Sequence, residues 1–220
     1  MAESEQLDMR RRIFWAGVKE FAEKGYDGAT VRDICREAGG ANVNAVNYYY
    51  GGKKQLYREI LKTMLGEGQK EMSDSASWAS GAGAPQERLK GFVRAYCRML
   101  YARGGVAAMF SRIFAREMVS PSDFLDEMTA AYLRPQSLAL LAFTRELLEA
   151  LNPDAAGASR ELVQNCAAFM IGVMTYYAYN WEAYSRIFPE HPGMQASWEG
   201  MAEQAHVFIL GGLSSMGQAK

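Results

Sequence analysis

Apolar residues recur along this chain at the spacing of α-helices, and no convincing stretch alternates apolar and polar residues as a half-buried strand does. The first predicted helix runs from Leu7 to Lys24, and Gly25 follows it as a stop signal. Its apolar residues lie at i, i+3, i+4 and i+7 and define one buried face: Phe14, Gly17, Val18 and Phe21. Because helical periodicity dominates the remaining chain as well, the sequence predicts an all-α fold.

The second predicted helix is short and ends at a pair of glycines. Thr30 and Asp33 have the spacing of a capping box, so this helix begins at Thr30. Gly39 and Gly40 end it with a tight turn. Two short helices joined by such a turn and braced by a longer first helix form a helix-turn-helix. In that motif a recognition helix is held against the major groove of DNA by apolar packing on its inner side.

The third predicted helix, Val43–Tyr50, is the candidate recognition helix. Asn42 is placed to cap it, and Gly51 and Gly52 end it. A fourth helix is predicted over Lys53–Met72, and the Ser/Ala/Gly-rich segment 73–85 is predicted to be a flexible loop.

Longer helices are predicted to fill the rest of the chain. Pro135 lies inside one of them, so we expect a kink or break there. The predicted helices are Gln86–Arg103, Val106–Met118, Ser122–Leu151, Ser159–Phe188 and Met194–Gly211.

Composition excludes several classes of protein. The net charge is −1, so DNA affinity has to come from a local patch rather than from overall charge. Three scattered cysteines, Cys35, Cys97 and Cys166, predict neither a disulfide framework nor a metal site. No secretory leader, membrane helix or common catalytic motif is evident, so we expect a cytoplasmic protein that is not an enzyme and has no cofactor.

The N-terminal part resembles the DNA-binding domain of TetR-family transcriptional regulators. Two runs carry the resemblance, FAEKGYDGATVRDICREAG and NAVNYYYGGKKQLYREIL, over roughly residues 10–65. The residues at matching places are Phe21, Ala22, Gly25, Tyr26, Thr30, Val31, Ile34, Ala38, Gly39, Tyr48, Tyr50, Lys53 and Leu56. The turn after Gly39 is one residue longer than is usual in the family, and position 49 holds tyrosine where histidine is frequent.

The resemblance implies a three-helix helix-turn-helix domain followed by a larger helical bundle for ligand binding and dimerisation. We therefore expect a DNA-binding domain over 1–52, a connecting helix over 53–72, the flexible loop 73–85, and a ligand-binding and dimerisation domain over 86–220. The last two predicted helices, with the small residues Ala205, Gly211 and Gly212, resemble the dimerisation helices of the family.

The DNA-contacting residues are predicted from side-chain chemistry first. Asn44 is the best candidate for reading adenine, Ala45 for a thymine methyl, and Asn47 is a third. Hydroxyl groups and one lysine are candidates for phosphate contacts. The predicted set is Thr30, Asn42, Asn44, Ala45, Asn47, Tyr48, Tyr49 and Lys53.

Alternative interpretations remain open for each group. The three tyrosines of residues 48–50 also suit a helix core, Lys53-Lys54 suits a solvated helix start, and Arg10–Arg12 suits either an ordinary charged face or a phosphate clamp.

Methionine and aromatic side chains of the C-terminal part suit an adaptable apolar pocket, although the same residues suit a plain core. The candidate ligand contacts are Phe110, Phe114, Phe143, Met170, Met174, Tyr177 and Trp181. The expected function is a homodimeric repressor that an apolar small molecule releases from a palindromic operator. The alternative is a helical small-molecule-binding protein or enzyme that carries a helix-turn-helix.

Overall fold

The computed structural model describes residues 2–74, 77–102, 104–153, 157–191, 193 and 197–216. Within these ranges the chain is almost entirely helical and contains no strand. The helices are α1 (Ala2–Gly28), α2 (Val31–Glu37), α3 (Asn44–Tyr50), α4 (Lys53–Asp74), α5 (Ser77–Ser80), α6 (Pro85–Cys97), α7 (Gly105–Val119), α8 (Leu125–Met128), α9 (Arg134–Leu151), α10 (Arg160–Ile187) and α11 (Trp198–Met216). Two π-helical turns, Arg98–Ala102 and Thr129–Leu133, follow α6 and α8.

The chain divides into two compact units. The first, called the head unit below, comprises Met1–Glu67 and Met109–Met128, and the second, the body unit, comprises Gly68–Ala108 and Thr129–Lys220.

The core of the head unit forms where the apolar faces of its helices meet. A Cβ atom added to Gly17 of α1 would lie 3.0 Å from Leu56 and 3.1 Å from Ile60, so glycine permits the close approach of α1 and α4. The fully buried side chains come from α1, α2, α3 and α4: Ile13, Val18, Phe21, Ile34, Val46, Leu56 and Ile60.

Residues 109–128 belong to the head unit, whereas the sequence assigned them to a single domain over 86–220. The Tyr57 hydroxyl donates to Oε1 of the buried Glu117 at 2.5 Å. Oε2 of Glu117 accepts hydrogen bonds from the backbone nitrogen and hydroxyl of Ser122. Periodicity identifies the buried face of α7 but not the helix that covers it, so the sequence alone does not predict this packing.

The body unit contains the larger core. Trp78 of α5 is buried and packs against Phe92 and Phe143, with ring centroids 4.9 Å and 5.6 Å away. The segment 73–85, predicted to be a flexible loop, therefore contributes a short helix to this core, while residues 75 and 76 lie outside the described residues. Other members of the core come from α6, α9, α10 and α11: Leu89, Val93, Leu147, Val163, Met170, Met174, Ile209 and Leu213.

Several helix boundaries agree with the sequence predictions. Thr30 caps α2 and accepts a hydrogen bond from the Asp33 nitrogen at 3.1 Å, as the capping box predicts. The break expected near Pro135 is the π-helical turn Thr129–Leu133, because proline cannot donate the backbone hydrogen bond of a regular helix. Helix α1 begins earlier than predicted, and Gly25, with φ 75° and ψ 175°, interrupts it with non-helical backbone at the predicted stop. The predicted boundaries Arg103 and Met194 lie outside the described residues.

Glycine at position 40 has a conformational role that can be tested. Its φ of 80° lies in the left-handed region, and no heavy atom lies within 4 Å of an added Cβ, so only backbone strain opposes a side chain there. We expect Gly40→Ala to lower the free energy of unfolding by about 1–2 kcal/mol. Gly91, inside α6 and equally open, is the control, and Gly91→Ala is expected to raise that free energy by roughly 0.5–1 kcal/mol. Urea unfolding followed by circular dichroism measures the free energy of unfolding of both variants. Equal changes of the same sign would contradict the conformational role of Gly40.

Candidate DNA-binding interface

The turn between α2 and α3 is built from backbone hydrogen bonds that need glycine. Gly39 and Gly40 have φ of 90° and 80°, and Gly40 and Ala41 both donate to the Cys35 carbonyl, at 3.1 and 2.9 Å. The Cys35 thiol donates to the Asn42 carbonyl at 3.4 Å. The turn is thereby held against the end of α2.

Helix α3 begins at Asn44, one residue later than predicted, so its N-cap position is Val43, which makes no side-chain capping bond, and not Asn42. The side-chain oxygen of Asn42 accepts a hydrogen bond from the backbone nitrogen of Asn44 at 2.9 Å. The Asn42 side-chain oxygen thus supports the first turn of α3 from the residue before the N-cap, while its amide nitrogen has no partner among the described residues.

Helix α3 presents one apolar face inward and a polar face to solvent. Val46 is fully buried, whereas Asn44, Asn47 and Tyr48 are exposed, Tyr48 to 71%. Ala45 and Tyr49 are half-buried, and the rings of Tyr48 and Tyr49 pack edge to face with centroids 4.8 Å apart. The two asparagines and the Tyr48 hydroxyl can therefore be reached by an external ligand.

Tyr50 has a structural role, in keeping with the core alternative for this residue. Its hydroxyl donates to the Arg10 carbonyl at 2.9 Å, and the Arg10 guanidinium lies 5.4 Å from its ring centroid. Burial raises the pKa of this hydroxyl above its ordinary value, so it remains a protonated donor at neutral pH. Tyr50 thereby fixes the end of α3 against α1.

The two lysines at the start of α4 have different surroundings. Lys54 pairs with Asp123 at 2.7 Å. Lys53 is half-buried, its ammonium lies 4.6 Å from the centroid of Tyr26, and it has no carboxylate partner among the described residues. Lys53 is therefore the lysine that is available to an external anion, beside the glycine pair that ends α3.

Ion pairs neutralise many of the other cations of the head unit. Asp33 pairs with Lys24 at 3.1 Å and with Arg36 at 2.5 Å. Hydrogen bonds, first from Lys24 and then from Thr30, hold the pKa of the Asp33 carboxyl at about 2. Lys19 likewise pairs with Glu37 at 2.7 Å.

The seven candidate ligand contacts fall in different places. Phe110 and Phe114 belong to the head unit, and Phe110 stacks on Trp15 with centroids 6.3 Å apart. The other five belong to the body unit, where three are buried in the core: Phe143, Met170 and Met174.

Tyr177 and Trp181 pack around His191 near the end of α10, each with its ring centroid 5.8 Å from that of His191. Backbone hydrogen bonding fixes this imidazole, since the Gly193 nitrogen donates to its Nδ1 at 3.2 Å. These two residues therefore form a local aromatic cluster around His191, and Tyr177 also packs against the buried core of the body unit.

An apolar groove lies between α10 and α11 of the body unit. It has a volume of about 220 Å³. Phe169 and Phe208 line it and remain 59% and 69% exposed. The helical spacing of Phe169 and Val173 could have identified one wall from the sequence, whereas no sequence signal singled out Phe208.

The described part of the chain contains neither a candidate metal site nor a candidate membrane-spanning helix. No group of three or more His, Cys, Asp or Glu side chains is placed to hold a metal ion there. No described helix is both long and apolar enough to cross a membrane.

A capped helix, a glycine turn and a second helix with a polar outer face define a helix-turn-helix DNA-binding protein. Comparison with known families agrees. Residues 13–60 match the model of the bacterial regulatory proteins of the tetR family. Residues 85–213, more than half of the chain, match the C-terminal domain of the HTH-type transcriptional dual regulator CecR. The chain belongs to the TetR family of transcriptional regulators, and it is a DNA-binding transcriptional regulator.

Solved structures share the fold across almost the whole chain. The fatty acid degradation regulator FadR from Bacillus halodurans is 19% identical, with 93% of this chain and 96% of that chain covered and a TM-score of 0.63. A TetR-like transcriptional regulator from Rhodococcus sp. is 13% identical, with coverages of 94% and 96% and a TM-score of 0.63. PfmR from Thermus thermophilus is 22% identical, with coverages of 90% and 97% and a TM-score of 0.59. A search of curated proteins found no match.

Proposed function

We propose that this regulator is a homodimeric repressor that binds a palindromic operator and is released by a largely apolar small molecule. The exposed apolar groove between α10 and α11 is the observation that supports a dimer. A two-fold dimer places two copies of α3 on one face of DNA, at half-sites one helical turn or a multiple apart. The proposed site of action is the cytoplasm, and the proposed role involves no catalysis.

The dimer interface is proposed to be the outer face of α10 and α11. Val207 lies beside Phe208 and is also largely exposed. Gly211 and Gly212 have open space around them, so they permit a close approach of a partner helix. Ala205 differs from the expectation, because it is buried in the core of its own body unit and is not available to a partner.

Each exposed residue of the helix-turn-helix has a proposed role. Asn44 reads a base edge in the major groove, with Asn47 one turn further along α3 and Ala45 placed for a thymine methyl. Tyr48, Tyr49 and Lys53 donate to phosphates or sugars. Thr30 caps α2 and Asn42 supports the first turn of α3, and their remaining donor groups are proposed to reach the backbone of DNA.

The effector is proposed to enter the body unit among its methionine and aromatic side chains. Met170 and Met174 line the centre of that core, and thioether side chains repack around irregular ligands more readily than branched ones. The similarity in fold to a fatty acid degradation regulator makes long-chain acyl compounds a reasonable first class to test, beside aromatic compounds.

Linkage between effector and DNA provides the test. A ligand that weakens operator affinity by some factor must itself bind more weakly, by the same factor, when operator is present. We would titrate a long-chain fatty acid and an aromatic compound into the protein with and without operator DNA, by calorimetry, and follow DNA release by fluorescence anisotropy. The proposal is supported if the effector weakens DNA binding by the same factor by which DNA weakens effector binding. Effector binding that leaves DNA affinity unchanged would count against effector release.

Lys53 provides a second test, which concerns the phosphate contacts. We expect Lys53→Ala to weaken binding to specific and nonspecific DNA alike, and to reduce the slope of log K against log salt by roughly one counterion per head unit. Lys54→Ala is the matched control, because this neighbouring lysine is already paired with Asp123. Salt titrations of binding measure both variants, and equal slopes for the two would contradict the role of Lys53.

A further inference from the structure

The first turns of α1 project beyond the packed part of the head unit. The helix begins at Ala2, and from Glu5 onward, where side-chain burial is described, its first fully buried residue is Ile13. The arginine triplet, Arg10, Arg11 and Arg12, lies immediately before this point, and all three side chains are exposed. The match to the tetR family model begins at residue 13, so the triplet lies outside the matched residues.

One end of the arginine triplet lies beside the C-terminal end of α3. The Arg10 carbonyl accepts the hydrogen bond of Tyr50, and the Arg10 guanidinium packs on the ring of the same residue. Because Tyr50 is the last residue of α3, this packing holds a positive charge at the end of the recognition helix.

The other end of the arginine triplet lies beside the turn that precedes α3. The Arg12 guanidinium lies directly over Gly39, so closely that a Cβ atom at this glycine would overlap it. Arg11 and Arg12 also line a groove of about 490 Å³ that includes Gly39 and Trp15. The triplet therefore brackets α3, with Arg10 at one end and Arg12 at the other.

The charge of the arginine triplet is not neutralised within the protein. Lys19 and Lys24 of the same helix form ion pairs with Glu37 and with Glu20 and Asp33, respectively. In contrast, no carboxylate among the described residues lies within 4.0 Å of any guanidinium of the triplet. Asp8 lines the same groove as Arg11 and Arg12 but does not pair with them. Three adjacent like charges repel one another, and a polyanion relieves that repulsion.

We propose that the arginine triplet contacts DNA phosphates on both sides of the major-groove segment that α3 occupies. Arg10 contacts the backbone near the end of α3, and Arg11 and Arg12 contact it beside the turn. Arginine suits this role because its planar guanidinium binds phosphate through two parallel hydrogen bonds. The contact sets affinity and register rather than sequence preference. This inference rests on the DNA-binding role of the head unit, but it does not depend on effector release.

The test compares the salt dependence of DNA binding in charge-neutral variants. We expect the Arg11→Gln/Arg12→Gln variant to lower the slope of log K against log salt by up to about 1.8 per head unit, from about 0.9 for each phosphate contact. The triple variant that adds Arg10→Gln is expected to lower it further. Lys19→Gln is the matched control, since it removes one charge from the same helix at a residue that is already paired.

Two further measurements keep the test decisive. Thermal unfolding of each variant verifies folding, and the double variant avoids disturbing the packing of Tyr50. The preferred base sequence, determined by selection from random duplexes, is expected to be the same for the double variant as for the wild type. A reduction in slope per charge no larger than that of Lys19→Gln overturns the proposal. An unchanged slope with altered base preference beside the half-site overturns it too, because the triplet would then read bases instead of phosphates.

Failure of the DNA-binding role can be distinguished from failure of the triplet contact. If the wild-type protein itself bound no DNA above background, both that role and the triplet contact would be refuted. If the wild type binds specifically while the double variant behaves as the control does, only the triplet contact is refuted.

Discussion

Phe208→Glu is expected to convert the protein from a dimer to a monomer and to weaken operator binding by at least about 100-fold. Phe208 is 69% exposed and lines the apolar groove between α10 and α11. In a two-fold interface each substitution acts twice, so two carboxylates would be buried against apolar side chains at a cost of several kcal/mol. A monomer would engage only one half-site, and the advantage of binding two linked half-sites would be lost.

Leu138→Glu is the matched control for the dimer interface. Leu138 is an exposed apolar residue of α9 in the same body unit, and it does not line the groove. Sedimentation equilibrium over a range of protein concentrations gives the dimer dissociation constant, and anisotropy gives operator affinity. A Phe208→Glu protein that remained as dimeric as Leu138→Glu would contradict the proposed interface.

Asn44→Ala is expected to remove the preference for one base pair in each half-site. A bidentate contact between an amide and adenine discriminates against the wrong base by about 1–3 kcal/mol. Over two half-sites, the affinity for operator relative to scrambled DNA should therefore fall by roughly 30-fold to more than 1,000-fold. The fold should tolerate the change, because Asn44 is exposed and only its backbone nitrogen bonds to the Asn42 side chain.

Binding to scrambled DNA separates base reading from phosphate contact in this experiment. Asn44→Ala should leave nonspecific affinity and its salt slope unchanged, in contrast to Lys53→Ala. Asn47→Ala, the same substitution one turn further along α3, is expected to have a smaller effect. An equal loss on operator and on scrambled DNA would show that Asn44 does not read a base.

Local sequence signals predicted the helix-turn-helix because each part of it is specified within a few residues. The Thr30 cap, the Gly39-Gly40 turn and the buried Val46 all follow from short-range spacing. The family resemblance rested partly on the same residues, Thr30 and Gly39 among them, and the family match confirms it.

Long-range packing limited what the sequence could predict elsewhere. The assignment of residues 109–128 to the head unit depends on Tyr57–Glu117 and similar contacts between segments about sixty residues apart. Trp78 lies in a Ser/Ala/Gly-rich segment that has no helical periodicity, yet it is buried and packs α5 against the core.

The sequence also could not predict which charged residues of the candidate site form ion pairs. The sequence left Arg10–Arg12 open between a charged face and a phosphate clamp, because ion pairing cannot be derived from one-dimensional spacing. The structure shows which described cations of the head unit are paired, Lys19 and Lys54 among them, and which remain available, Lys53 and the arginine triplet among them.

Selection of bound sequences from a random pool of DNA duplexes tests the central claim most directly. The account predicts that wild-type protein enriches an inverted repeat, with half-sites centred one helical turn or a multiple apart, and that Asn44→Ala protein loses one preferred base pair in each half. Enrichment of a single unrepeated site, or no enrichment at all, would contradict a dimeric regulator that reads its operator through α3.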